Sequence, residues 1–405
     1  MERPYPKVTV TKKCEKFIKS GHIWVYSDEI LHIQGTYENG DIVDVYTEKD
    51  RFLGSGYIND HSKIRVRIIS KNANDRFDED FYRRRIGYAL DYRIAVMGED
   101  FSSCRLIFGE ADSFPGLTVD RFEDILVTQA LSLGTERVKD LLFRLLREEL
   151  LTRGVTVRAI YERNDVKIRE LEGMKQYKGF YQADGLRDDL DGIVRITENG
   201  ILYDVDYIEG QKTGFFLDQK YNRLAIRKIA KGRKVLDCFT HTGAFALNAA
   251  VTAEKVTAVD ISETAIEMAK HNASLNGFEN MDFVQANVFD LFTESALTKH
   301  KEYDMIILDP PAFTKSRSTV KEATRGYKEI NLKAMRLLPR GGYLATCSCS
   351  HFMSDELFCK MLFSAAQDAG VSLRQIECRQ QACDHPILWG VEETDYLKFY
   401  IFQVI

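Results

Sequence analysis

The stretch 234–250, "KVLDCFTHTGAFALNAA", decides the fold. It reads as a short apolar strand, one tight turn at 237–243, and a helix of small and apolar residues, with a strand covered on both faces. The alternation continues downstream through "KVTAVDI", "ETAIEMAKHNASLNG", "MDFVQA", "YDMIILDPP", "INLKAMRLL" and "GGYLATCSC". Strands that alternate with helices in this way imply an α/β fold, a doubly wound Rossmann-like domain.

Upstream, "IVRITENGILYDVDY" places two alternating runs around Asn199-Gly200, the strongest short-range hairpin signal. The C-terminal α/β domain with this leading hairpin is therefore taken as 193–405. Residues 79–192 read as a middle α+β domain, with strands "GLTVDRF", "DILVTQAL" and "VRAIYERND". They also hold a helix in which Val138, Leu141, Leu142, Leu145 and Leu146 recur at helical spacing before Gly154. Residues 1–71 carry short alternating runs, "KVTVTK", "DIVDVYT" and "KIRVRII", and one helical insert near 14–19, which suits a small β-barrel. A polar linker, 70–80, separates the last two.

The 405-residue length is enough for several cores, and 44% hydrophobic with 29% charged residues is ordinary globular composition. The N-terminus lacks the pattern of an export signal and no run approaches about 18 apolar residues, so a cytoplasmic protein without a membrane span is expected. The eight cysteines are then expected as thiols, and none shows the paired spacing of a zinc site, so no metal is expected. A net charge of −5 gives no global support for a nucleic-acid partner. Locally, residues 1–27 hold six basic side chains, among them Lys12, Lys13, Lys16 and Lys19, against two acidic ones.

Ligands of open α/β sheets sit outside the carboxyl ends of the strands, so the residues there carry the chemistry. The first turn has Gly243 but not the three glycines of a dinucleotide site, which argues against NAD and suits a phosphate-free adenosyl ligand such as S-adenosylmethionine. Asp260 ends the second strand, where an acid can accept both ribose hydroxyls or can serve the next helix N-terminus. Asn287 follows the third, to read an adenine edge or to cap a loop. After the fourth come Asp309-Pro310-Pro311-Ala312-Phe313, a rigid turn with a carboxylate and an aromatic ring suited to a nucleobase.

The fifth strand ends in Cys347-Ser348-Cys349-Ser350. Residues two apart in a strand have α-carbons roughly 6.6 Å apart, near the limit for a disulfide, and a metal would need further ligands. Cys347, deeper in the strand, is expected to pack; Cys349, nearer the rim, is the candidate nucleophile.

These residues make the chain resemble the bacterial 23S ribosomal RNA cytosine-C5 methyltransferases, which carry an N-terminal PUA domain, a middle α+β domain and a class I methyltransferase domain. The resemblance runs along nearly the whole chain. It includes "GHIWVYS" (21–27), "CRLIFGEADSFPGLTVDRF" (104–122), "IYERNDVKIRELEGM" (160–174), "GQKTGFFLDQKYNR" (210–223), "LDPPAF", "ATRGYKEIN" (323–331), "SCSHFMS" and "DHP" (384–386). It departs from the family at His241, often Tyr, at Asn287, often Asp, and at His351, often Gly.

The resemblance implies S-adenosylmethionine as cofactor, ribosomal RNA as partner and a homodimer. It implies cofactor contacts from Phe216, Asp218, Gln219 and Arg223, from Asp237, Phe239, Thr240, Gly243, Ala244 and Phe245 in the first turn, and from Asp260, Asn287 and Pro310. Cys349 is then the nucleophile that adds to carbon 6 of cytosine, because carbon 5 is too poor a nucleophile on its own. Asp309 supports the addition, Pro311 and Phe313 hold the base, and Lys12 and Lys13 of the barrel contact RNA phosphates, while Trp24 is expected to be core. Methylation of an exocyclic amine, and a non-catalytic RNA-binding assembly factor, are the competing readings.

Overall fold

The computed structural model describes residues 3–292, 302–314 and 316–405. Two compact units cut across the chain. One gathers the chain up to Ile196 with Val205–Leu217 and Cys383–Thr394; the other gathers Thr197–Asp204, Asp218–Ala382 and Asp395–Ile405. The stretch 193–405 is thus shared between both.

In the first unit, Lys7–Val10 (β1), Trp24–Tyr26 (β2), Ile30–Gln34 (β3), Ile42–Thr47 (β4), Phe52–Ile58 (β5) and Ile64–Ser70 (β6) form a six-stranded sheet, ordered β2-β6-β5-β4-β1-β3. Alternate residues Val8, Val10, Val43, Val45, Val66 and Ile68 make its core. The helix Lys12–Lys19 starts where Thr11 Oγ1 accepts the Cys14 amide (3.3 Å). It turns Cys14 and Ile18, one helical turn apart, into that core and leaves Lys12, Lys13, Lys16 and Lys19 exposed. Val391, from the late segment, completes the same core. Beside it Gly390 lies against Gly21 so closely that a Cβ on either would fall 2.7–2.9 Å from the other's α-carbon.

The same unit holds a five-stranded sheet of Ser103–Phe108 (β7), Leu117–Phe122 (β8), Ile125–Ala130 (β9), Ala159–Asn164 (β10) and Tyr177–Phe180 (β11), ordered β11-β10-β9-β8-β7. Its helices are Glu79–Met97 and Leu133–Thr152; the second buries Leu142, Leu145 and Leu146, as their spacing predicts, and Gly154 follows it at φ +77°. Buried polar groups tie this sheet to its surroundings. The Glu172 carboxylate accepts Arg67 of β6 (2.8 Å) and Asn59, just after β5 (3.0 Å), and Asp384 Oδ2 accepts the Arg105 amide (2.8 Å). Buried charges persist only when satisfied in this way.

The hairpin of Ile193–Glu198 (β12) and Ile201–Asp206 (β13) turns at Asn199-Gly200, both at positive φ (55° and 74°), as a two-residue turn requires. The sheet of the second unit has seven strands: Lys234–Cys238 (β14), Lys255–Asp260 (β15), Met281–Gln285 (β16), Met305–Leu308 (β17), Tyr343–Ser348 (β18), Leu373–Arg379 (β19) and Lys398–Val404 (β20). Their order is β16-β15-β14-β17-β18-β20-β19, the first five parallel and β20 antiparallel to both neighbours. Cores lie on both faces, as the continuous apolar strands predict. Consequently Cys238, Asp260, Gln285, Leu308 and Ser348 end their strands on one rim.

Gly134 and Gly87 test the packing of the first unit. A Cβ at Gly134 would lie 2.1 Å from the Tyr57 ring, whereas one at Gly87 meets nothing closer than 3.7 Å. Gly134→Ala is expected to cost about 1–3 kcal/mol from overpacking, and Gly87→Ala to be neutral or to stabilise by up to about 1 kcal/mol. Urea unfolding of the two variants checks this.

Candidate active site

The rim is built around the turn after β14. Phe239 (φ 64°) and His241 (φ 50°) adopt left-handed backbone conformations that side chains disfavour, at a cost of about 1–3 kcal/mol each. The turn is held regardless. The Thr240 amide donates to the Val259 carbonyl (2.9 Å), its hydroxyl to Asp237 Oδ2 (2.6 Å), and the His241 amide to Asp260 Oδ2 (2.9 Å). Gly243 sits at φ 87°, where a side chain would be strained, and a Cβ there would also press on Ala269 (3.0 Å to its Cβ, 3.3 Å to its Cα). Ala244 and Phe245 then begin the helix Ala244–Ala250. The Phe245 side chain stacks on Phe399 (5.9 Å, 12°) in the core, so only its backbone faces the turn's chemistry.

Asp237 is fully buried. Burial foremost pushes its carboxyl up to about 8; the Thr240 hydrogen bond opposes this and the nearby Asp309 reinforces it. Its Oδ1 accepts no hydrogen bond of ordinary geometry among the described residues. Asp260 Oδ1 accepts the Ser262 amide (2.9 Å), so this acid serves the helix after β15 while each oxygen keeps a lone pair for a ligand. Asn287 caps the short helix Val288–Leu291 through the Phe289 amide (3.1 Å), the capping alternative that the sequence left open, and keeps its side-chain N–H group as a donor.

Asp309 follows β17, and its Oδ1 accepts the Cys347 thiol at 2.9 Å and Gln219 Nε2 at 3.3 Å. Gln219 is itself held by Asn222 (2.7 Å), and Asp218 Oδ2 accepts the Tyr396 hydroxyl (2.6 Å). Cys347 is buried, as expected, and burial raises its thiol well above the ordinary range, with Asp309 adding to this. It is more than packing. It is a protonated donor clamped on a carboxylate, a contact that the β17–β18 register creates and no local motif announces. Cys349, half-buried, lies one residue beyond β18.

The remaining expected residues fall as follows. Arg223 is buried and pairs with Glu198 (3.0 Å), and its charge still reaches His241 in the first turn, where it adds to burial in lowering the imidazole's proton affinity. Pro310 is buried and Pro311 exposed; Phe313 is half-buried and leans on Tyr327 (4.6 Å between ring centres) and Phe289 (6.1 Å). Phe216, Lys12 and Lys13 belong to the first unit, with Lys212 Nζ 4.8 Å over the Phe216 ring and Lys13 Nζ 5.7 Å over Phe17. Trp24 donates to Glu110 (3.3 Å) and carries Arg67 over its ring (5.6 Å). His351 stands edge-on to Phe352, 5.4 Å between ring centres. Trp389, which the sequence alone did not single out, is 92% exposed, next to the Gly390 that touches Gly21 beyond the end of the lysine-bearing helix.

A rim with Asp237, Asp260 and Asp309, one of them short of a donor, suits a ligand that carries positive charge and hydroxyls. S-adenosylmethionine fits, with a sulfonium, an ammonium and a ribose. Among the described residues no group of three His, Cys, Asp or Glu side chains is placed to hold a metal ion. No helix among them is long and apolar enough to cross a membrane.

Fold and rim define the class of S-adenosylmethionine-dependent methyltransferases. A family model of that description matches residues 150–402, and a PUA-like domain matches 8–71. Similar curated proteins are the ribosomal RNA large subunit methyltransferase I of Aeromonas salmonicida and that of Aliivibrio fischeri. The first is 38% identical over 395 residues, 96% of this chain and 97% of the relative; the second is 37% identical over 402, 98% and 99%. The chain belongs to this methyltransferase family, and S-adenosylmethionine is its cofactor. The fold is also that of a Streptococcus mutans methyltransferase structure (TM-score 0.81, 23% identity, 98% of this chain and 99% of that one) and of a methyltransferase solved with SAH (TM-score 0.80, 23% identity, same coverage).

The state of Asp237 makes a pH prediction. Its folded pKa lies above the ordinary value near 3.8, so from about pH 4 to about 8 the folded protein keeps a proton that the unfolded chain has lost. The sign follows: Asp237 lowers stability as pH rises through that window, and a cationic ligand that binds the carboxylate must expel the proton. S-adenosylmethionine affinity should therefore tighten as pH rises toward about 8, with proton release measurable by calorimetry in buffers of different ionisation enthalpy. In Asp237→Asn both the proton release and the pH dependence should disappear.

Proposed function

We propose that the protein methylates carbon 5 of a cytosine in large-subunit ribosomal RNA through a covalent adduct at Cys349. The supporting observation is one of neighbourhood. Cys349 follows β18, and Asp309 follows β17, the strand paired to it in parallel with Leu308 opposite Thr346. A thiol and a carboxylate on adjacent strand ends can address two edges of one base. The relatives' name supplies the RNA, and an RNA substrate accords with a cytoplasmic enzyme.

In this reading the Cys349 thiolate forms a bond to carbon 6, and the electron pair of the 5,6 double bond moves into the ring toward carbon 5 and nitrogen 3. Asp309 enters this step protonated and gives its proton to nitrogen 3, the ring edge that receives the density, while its Oδ1 accepts Cys347 and Gln219; the proton returns to it when the sulfur leaves. Bound S-adenosylmethionine supplies an electrophilic methyl group on its sulfonium. Loss of the carbon-5 proton then restores the double bond and expels Cys349 with its electron pair. Asp218, Asp237, Asp260 and Asn287 hold the cofactor, while Pro311 and Phe313 bound the base. The base must leave its stack to reach the rim.

Along the chain, residues 1–71 dock RNA, 79–192 form the middle domain and 193–405 carry the chemistry. For docking, Lys12, Lys13, Lys16 and Lys19 suit phosphates and Trp389 suits an unpaired base, the combination that single-stranded RNA sites use. A single stacked base is worth about 1–3 kcal/mol. Trp389→Ala should therefore weaken RNA binding by about 5-fold or more, and Lys12→Glu with Lys13→Glu should weaken it and flatten its salt dependence.

Ribosomal RNA containing 5-fluorocytosine tests the chemistry, because fluorine cannot leave as a proton does and the adduct persists. Peptide mapping should find the RNA on Cys349, and Cys349→Ala should lose both adduct and turnover. An adduct on Cys347 overturns the assignment. Turnover that survives in Cys349→Ala favours methylation of an exocyclic amine.

A further inference from the structure

Lys398 begins β20 directly opposite Ser348 of β18. It is 6% exposed. Its Nζ donates to the Ser350 carbonyl (2.9 Å) and the Tyr396 carbonyl (3.0 Å), which occupies two of three hydrogens. The ammonium is thus anchored one residue beyond Cys349, while the lysine's own backbone stands across from the residue before it. Cys349 is bracketed.

A buried ammonium needs an anion. Asp355 and Asp395 act on Lys398 through space, yet neither is an ion-pair partner. The Asp355 carboxylate accepts the Tyr400 hydroxyl (2.6 Å), and both Asp395 oxygens accept Gln380 (3.2 Å). Burial depresses the proton affinity of Lys398, and Asp395, Asp355 and Cys349 counter it in that order. Tyr327 and Cys347, both raised by burial, also interact with Cys349, with Asp309 behind Cys347. Lys398 sets a positive charge against these acidic groups.

We propose that Lys398 is the counter-ion of a Cys349 thiolate, a positioning residue that prepares the nucleophile before RNA arrives. The thiol proton leaves to water, the sulfur keeps the electron pair, and Lys398 stays protonated throughout. When carbon 6 later releases the sulfur, the charge returns to the same ammonium. Thiolates beside a cation are stabilised in this way. The inference deepens the reading of Cys349 as nucleophile and rests on it for its catalytic meaning, but the ion pair itself can be measured without RNA.

The test is the pH dependence of Cys349 alkylation by iodoacetamide in the full-length protein, with the label located by peptide mass spectrometry. The wild-type midpoint should lie at least about one unit below the ordinary thiol value near 8.5. Lys398→Met should raise it by about a unit or more, which is about 10-fold less thiolate near neutral pH, and Lys398→Arg should restore most of the shift. An unshifted midpoint in a folded Lys398→Met overturns the proposal. Should that variant not fold, the thiolate absorbance of wild type minus Cys349→Ser gives the same midpoint, and an ordinary or raised value overturns it equally. Failure of the two readings is distinguishable. A depressed midpoint without a fluorocytosine adduct removes the nucleophile and leaves the ion pair; an adduct at Cys349 with an unshifted Lys398→Met profile removes the ion pair alone.

Discussion

Two carboxylates end neighbouring parallel strands, and the site depends on keeping them there. Asp237 and Asp309 lie close enough to repel, in a sheet covered on both faces. The fold answers each differently. Asp237, enclosed and served by Thr240, stays protonated to about 8, whereas Asp309 is half-buried and accepts Cys347 and Gln219. The strained turn at Phe239 and His241, the Gln219–Asn222 bond and the Cys347 thiol all act on this pair. A cation bound between such groups gains from both, because it replaces a repulsion that is otherwise relieved only by holding a proton.

The parallel half of the sheet was legible because each strand is a continuous apolar run and each rim residue follows it directly. Asp260 and the Asp309 turn could be placed without contacts, and the Asn199-Gly200 hairpin announced its own geometry. The edges were not legible. β19 alternates poorly and is largely exposed, β7 lies in a run without alternation, and β11 spans only Tyr177–Phe180. Local pattern has little to hold in each case. The return of Cys383–Thr394 to the first unit was hidden for another reason: its signals are Gly390 against Gly21 and Val391 in a distant core, and both are pairings across the whole chain.

The site shows the same division. Asp237, Gly243 and Cys349 stand in motifs whose spacing states their place. Arg223 and Phe245 stand in motifs too, yet the structure uses one against Glu198 and the other against Phe399. A residue that stands in a motif can support the site as readily as touch its ligand. Cys347 is the converse: read as packing, it is packed, and it also orients the carboxylate beside it.

The antiparallel strand explains how a cation can reach an acidic rim. In a wholly parallel sheet every strand presents its last residue to the ligand side, and the loop that follows leads into a crossover helix. β20 runs the other way, so its first residue arrives at that rim with the loop 395–397 behind it. That geometry lets Lys398 enter from beneath, reach the Ser350 carbonyl and remain out of water. With the cofactor held on this rim as proposed, a cation on any of the five parallel strand ends would oppose its positive charge. Delivered from β20, in the proposed pair it acts on Cys349 instead, from the side of β18 away from β17 and its carboxylate.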